Sequence, residues 1–260
     1  MKLRFFLPLL LVGLALNANA ACPRIVSQSP YLTIAIDWLG RGQCIVGVSR
    51  YDKRDLPKTG GIIDPDAEAI AALHPTLIVA SEWAKSDTQA HITPPGAHTV
   101  TFGGFDSLPA VSRMLKQLAH VVDAPNGDAK VAAFDTAWRK KVGAISGRHR
   151  RVLLVSACSG APYTFGGQHL VGDIFARSGF TLVEPDTKIH HLTGLDALDD
   201  LVDQTRPDLV VSFTPETADF CQVIGGRFPV KTINLNGANF FHPGPRLLDA
   251  LNDLAAKVAL

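Results

Sequence analysis

The sequence lacks most of the features that would commit it to a familiar chemistry. No charge of one sign prevails: 25 lysines and arginines against 24 aspartates and glutamates leave a formal net charge of +1, so nothing recommends a polyanionic partner such as nucleic acid. Basic residues cluster only at Arg148-His149-Arg150-Arg151. After the first 20 residues no apolar run is long enough to span a bilayer. There is no G-x-S-x-G elbow, no H-E-x-x-H and no phosphate-binding glycine loop, which deprives a secreted hydrolase, the main enzyme alternative, of its usual machinery. Ser159-Gly160 follows a strand-like run but lacks the preceding glycine of an elbow. The four cysteines include no C-x-x-C pair, against a cysteine-rich metal site. Tyrosine and tryptophan number only three each, so their positions carry information.

What is present begins with an export signal. Lys2 and Arg4 make a basic start, Phe5 to Leu16 is apolar, and Ala18-Asn19-Ala20 is a small-x-small cleavage site. Cleavage there would leave Cys22 near the new N-terminus. Lipid attachment usually wants a large aliphatic residue three positions earlier, and Asn19 stands in that place, favouring an unlipidated chain. In an exported protein the even set Cys22, Cys44, Cys158 and Cys221 favours disulfides, with three connectivities open. Cys22 and Cys44 each precede an apolar run. If those runs are neighbouring parallel strands the two can bridge, leaving Cys158 to pair with Cys221.

The mature chain repeats one plan. Arg24 to Val26 reads as a buried strand, followed by a polar turn and a helical stretch from Tyr31 to Leu39 that stops at Gly40. Arg151 to Val155, a turn through Ser159-Gly160-Ala161-Pro162, and a helix from Leu170 to Ser178 before Gly179 restate it. Each half adds a short strand, Ile45 to Val48 and Phe180 to Val183. Ala67 to Pro75 then leads into Leu77-Ile78-Val79-Ala80, as Asp199 to Pro207 leads into Leu209-Val210-Val211-Ser212. All-apolar strands suit a sheet covered on both faces, hence parallel α/β units. Helical spacing from Leu108 to Val122 and from Asp128 to Ile145 fills the middle, broken at Ala124-Pro125-Asn126-Gly127.

These stretches resemble the periplasmic substrate-binding proteins of the iron-chelate and vitamin B12 uptake family. The likeness is carried by Arg24 to Ser27, Ile45 to Ser49 with Tyr51, Leu56-Pro57-Lys58-Thr59-Gly60-Gly61, and Glu68 to Ala80. It continues through Pro162-Tyr163-Thr164-Phe165-Gly166-Gly167, Pro207 to Val211 and Pro243 to Leu248, and the compact second half is most like the cobalamin-binding member. The resemblance implies an α/β fold of class III: two Rossmann-like lobes with parallel sheets joined by a long rigid helix. The division expected is signal peptide 1–20, N-terminal lobe 21–123, connecting helix 124–148 and C-terminal lobe 149–260. It further implies a monomeric binding protein, not an enzyme, with no resident cofactor and no catalytic residues. The expected guest is a metal chelate (corrinoid, haem or ferric siderophore) and the expected partner an inner-membrane ABC permease. Glu68 and Asp200, each seven positions before a proline, fall where the family docks onto the permease. Asp64-Pro65 and Thr193 with Asp196 look like helix caps.

Ligands of open α/β units bind beyond the carboxyl ends of the strands. That rule selects loops holding all three tyrosines, Tyr31, Tyr51 and Tyr163, together with Trp83, Phe165, His190, His191, Asn239 and His242. Flat aromatic faces suit a conjugated ring. His190 and His191 are the candidate axial ligands, although solvated loop histidines look the same in sequence. Trp38 and Trp138 fall within helices and read as packing. A binder of bare metal ions, of the zinc and manganese uptake type, is the alternative, but His74, His91 and His98 of the first half mostly lie away from the expected cleft.

Overall fold

The computed structural model describes residues 22–83, 91–157, 161–214, 224 and 226–259. The expected export signal, Cys158 and Cys221 lie outside these. The first half comprises β1 (Ile25–Ser27), α1 (Pro30–Trp38), β2 (Ile45–Val48), α2 (Ala67–Ala72), β3 (Leu77–Ser81) and β4 (His98–Phe102). Two helices follow, α3 (Leu108–Val121) and α4 (Gly127–Ala144). The second half then holds β5 (Arg151–Ser156), β6 (Tyr163–Phe165), α5 (Leu170–Arg177), β7 (Thr181–Leu182), β8 (Ile189–His191), α6 (Leu195–Thr205), β9 (Leu209–Thr214), β10 (Lys231–Asn236), α7 (Gly237–Phe240) and α8 (Leu247–Val258). No helix among the described residues is long and apolar enough to cross a membrane.

The first sheet is parallel throughout, in the order β2-β1-β3-β4. Its central strands are buried on both faces, as their unbroken apolar runs require. In the second sheet β7, β5, β9 and β10 are also parallel and stand in the same order with respect to the chain. The repeated sequence plan is thus a repeated topology. The second sheet is nevertheless mixed, not parallel as expected. β7 pairs only with Arg151 and Val152, at the start of β5, and β6 pairs antiparallel with Val155 and Ser156 at its end, with β8 beyond it. Gly172 permits this insertion, because a Cβ there would stand 2.0 Å from the Gly166 carbonyl oxygen. Sequence reading also passed over β4 and β10. Both are edge strands of alternating, half-exposed character, which give weaker apolar runs than central strands.

The helix ends correct two expectations. Asp66, not Asp64, caps α2, its carboxylate accepting from the Ala69 amide at 3.0 Å. The N-cap of α6 is Gly194, without a side-chain bond. At the other ends the repeat holds: His74 and Arg206 take left-handed φ values of 46° and 45° immediately before Pro75 and Pro207. Arg24 donates to the carbonyls of Leu73 and His74, satisfying the end of α2.

Cys22 and Cys44 are bonded to one another across neighbouring strands β1 and β2, so the Cys22 sulfur is occupied. The α3–α4 pair touches both halves. Trp38 packs its ring on Phe134 near the start of α4, while Lys141 near its end bonds Asn252 of α8. Asp173 of α5 accepts from the Leu108 amide at the start of α3. One hydrophobic cluster runs from Ile25 through Phe134 and Trp138 to Leu254, so the two sheets share a core through these helices.

Candidate functional site

All strands of the first sheet, and the parallel strands of the second, deliver loops from their carboxyl ends, and the aromatic residues gather there. α1 starts three residues after β1, which sets Tyr31 in its first turn. The Tyr31 ring meets Trp83, two residues beyond β3, edge-on at 5.4 Å and His242 at 4.6 Å. Trp83 in turn packs against Phe105 at 5.4 Å. His242 arrives from the second half, two residues after α7. Three loops from two halves therefore converge on one aromatic cluster.

A cavity of about 580 Å³ lies beside this cluster, with Tyr31, Tyr51, Lys53 and Arg54 on one wall and His242 and Arg246 on the other. Tyr51 is 61% exposed, an open aromatic face with the Arg50 guanidinium 5.8 Å from its centre. Burial raises the Tyr31 hydroxyl above its ordinary value. Burial first, and then the positive charges of Arg246 and Lys53, push the His242 imidazole down to about 4. His242 is therefore neutral near pH 7, and its buried Nδ1 has no hydrogen-bond partner among the described residues. Arg54 is neutralised by Asp37 at 2.8 Å. Lys53 and Arg246 have no ion pair among the described residues.

The remaining expected residues form a second group. Tyr163 and His191 face one another across the β6–β8 pair, rings 5.8 Å apart. His190 does not join them, because consecutive residues of a strand point to opposite faces. Its Nδ1 lies 2.7 Å from the Glu184 carboxylate, which also takes the Thr164 hydroxyl. A carboxylate on Nδ1 leaves Nε2 as the free nitrogen. Phe165 is 5% exposed and packs on His169, Phe213 and Phe241. It is a core residue here, placed by alternation on the inner face of β6. Through Phe241 it links this group to His242. Asn239 sits half-buried in α7, away from the cavity wall, where its neighbour Ala238 stands instead.

Glu68 is exposed in the first turn of α2 and Asp200 is exposed midway along α6. Neither has an ion pair among the described residues. α6 begins about one turn further from its proline than α2, so Asp196 occupies the place in α6 that Glu68 has in α2. Sequence reading cast Asp196 as a cap and overlooked Lys53, Arg246, Glu184 and Phe105. The two cations carry no periodic signal, and only tertiary structure brings them to one wall. Among the described residues no three His, Cys, Asp or Glu side chains gather as a metal-ion site.

Comparison with known proteins gives a consistent fold. The periplasmic haem-binding protein RhuT from Roseiflexus sp. RS-1 superposes with a TM-score of 0.71 at 23% identity, over 90% of this chain and 97% of that one. The vitamin B12 binding protein BtuF of Vibrio cholerae gives 0.73 at 18% identity, over 92% and 98%. The haem-binding protein HutB of Vibrio cholerae gives 0.74 at 16%, over 92% and 99%. At such identities the likeness establishes the two-lobed fold and leaves the ligand open. No curated protein sequence matches the chain. The family described as periplasmic binding protein matches residues 31–197. With that match spanning more than half its length, the chain belongs to the periplasmic binding protein family.

Proposed function

We propose that this protein captures a metal chelate between two lobes, residues 21–123 and 149–260 joined through 124–148, and delivers it to an ABC permease of the inner membrane. The reading rests on one observation above the rest: the cavity is walled from both halves, by Tyr31 and Tyr51 on one side and His242 on the other. A flat conjugated guest gains most from such rings, which lose little freedom on contact. The proteins of similar fold that bind haem and vitamin B12 fit this choice of guest class. His242, neutral and on the cavity wall, adds a third flat ring for the guest to lie against. Glu68 and Asp200 are the docking acids of this reading, with Asp196 beside the second.

Titration of the purified protein with haemin, cyanocobalamin and a ferric siderophore, followed by tryptophan fluorescence, tests it. Trp83 is the tryptophan at the cavity cluster and is 46% exposed, whereas Trp138 is buried. Saturable quenching by at least one probe, lost in Trp83→Phe, is the expected result. Failure of every probe to quench would sink the proposal.

A further inference from the structure

The basic cluster of the sequence, Arg148 to Arg151, has no part in the aromatic cavity. Two of its residues, Arg148 and Arg150, line a second cavity of about 370 Å³ together with Lys231. Arg150 immediately precedes β5 and Lys231 opens β10, and both strands run parallel to β9. This cavity therefore lies at the amino ends of the strands, whereas the aromatic cluster lies beyond carboxyl ends. The six residues of β5 put roughly 20 Å between the two edges. Apolar side chains make the other wall: Ile145 just after α4, with Ala255 and Val258 in the last turn of α8. No acidic side chain is among the described residues that line it. Arg148 and Lys231 are exposed and have no ion pair among the described residues. Arg151, by contrast, is committed to the Thr205 carbonyl at 2.5 Å.

The loop carrying these arginines is held in a costly shape. Arg148 and His149 take consecutive left-handed φ values of 52° and 54°, which residues other than glycine adopt at a price in strain. The amides of Gly147 and His149 fix the loop by donating to the carbonyls of Ser178 and Gly179 at 2.8 and 2.9 Å. Arg150 is fixed too, its guanidinium 5.2 Å from the centre of the Phe180 ring and its Nε donating to the Gly147 carbonyl at 3.2 Å. Both α4 and α8 end at this cavity, and each helix end contributes about half a negative charge. Lys141 and Lys257, in the last turns, already serve that compensation. Even set against both helix ends, three cations leave about two positive charges in surplus. A carboxylate would neutralise half of that surplus, and a phosphate monoester, with close to two negative charges near neutral pH, nearly all of it.

We infer that this cavity is a second ligand site, separate from the cleft, for an organic phosphate monoester. Its dianionic head would rest on Arg148, Arg150 and Lys231, and its apolar body against Ile145 and Val258. Guanidinium groups take phosphate oxygens in pairs, and the Ser146 hydroxyl on the same rim adds a neutral donor. A lipid headgroup and a soluble phosphate ester share this chemistry.

Calorimetric titration in phosphate-free buffer tests it, with phenyl phosphate as the soluble probe and benzoate as the singly charged control. One-to-one binding of phenyl phosphate is expected, on the order of tenfold tighter than benzoate. Arg148→Gln with Lys231→Gln should abolish it, and Arg148→Lys with Lys231→Arg should keep most of it. Both side chains are exposed, so melting curves of these variants should match the parent. Vesicles of phosphatidylcholine with and without phosphatidic acid separate the two sources. Cosedimentation that needs phosphatidic acid and is lost in the glutamine pair assigns the headgroup, and binding of phenyl phosphate without it assigns a soluble ester. No binding in either arm, benzoate equal to phenyl phosphate, or binding untouched by the glutamine pair would overturn the site. The chelate probes of the cleft do not enter this test, so either reading can fail while the other stands.

Discussion

His169 and His242 are each pushed down to about 4, in both cases by burial first. Lys188 adds to the effect at His169 and Asp106 opposes it, while Arg246 and Lys53 add to it at His242. An unfolded histidine titrates near 6.5. Between that value and about 4 the unfolded chain takes up protons that the folded chain refuses, so stability falls as pH drops through this window and is level above it. Melting temperature should therefore decline from pH 6.5 to pH 4. His169 also caps α5, its Nδ1 accepting from the Val171 amide at 3.2 Å. His169→Asn keeps a capping acceptor and removes the titration, and combined with His242→Gln it should flatten the decline. An unchanged acid slope in the double variant would show that the carboxylates, not these imidazoles, set it. At this scale the sequence was informative about type and poor about environment: Tyr31 and Tyr163 are equally rare, yet only Tyr31 lines the cavity described.

Among the elements, α4 has the largest structural consequence. Its 18 residues extend about 27 Å, enough to reach from Trp38 to Asn252. Trp138 on this helix is 1% exposed, donates its Nε1 proton to Ser112 of α3 at 3.0 Å, and lies under the guanidinium of Arg139 at 4.4 Å. Trp138→Ala should cost about 3–5 kcal/mol in urea unfolding, and it should loosen both halves together because the core is shared. Two separate transitions with only one affected would contradict a shared core. The Cys22–Cys44 bond closes a separation of 22 residues at the sheet edge. Replacing both cysteines by serine should cost about 3 kcal/mol by the loop-closure relation, measured against the parent under oxidising conditions. The repeat was legible at this scale because central parallel strands are continuous apolar runs. The β6–β8 insertion was not, since three-residue strands leave no period to read, and so His190 and His191 were expected on a loop.

For the whole molecule, the delivery proposed above would have both lobes meet the permease at once. Glu68→Arg with Asp200→Arg should abolish uptake in cells while leaving chelate affinity of the purified protein unchanged. Asp196→Arg, made beside Asp200→Arg, decides which acid of α6 carries the contact. If Asp196→Arg alone removes uptake, the extra N-terminal turn of α6 has moved the docking acid along the helix. Uptake that survives every reversal would withdraw the docking role from this surface. The cap of α2 is Asp66, and the acid of α6 that bonds Arg227, at 2.5 Å, is Asp199, so neither contact is touched by the two reversals.

The sequence alone determined the α/β class, the two similar halves, the helices between them and the set of loops at the strand ends. Each follows from local rules: apolar periodicity, proline and glycine breaks, and the fixed relation of loops to strand ends. The tertiary structure decided which of those loops meet. Tyr31, Trp83 and His242 are separated by 211 positions between the first and last, and no local rule couples residues so far apart. Only packing of both sheets on α3 and α4 brings their loops to one cavity, sends Phe165 into the core, and aims Lys53 and Arg246 at the same space.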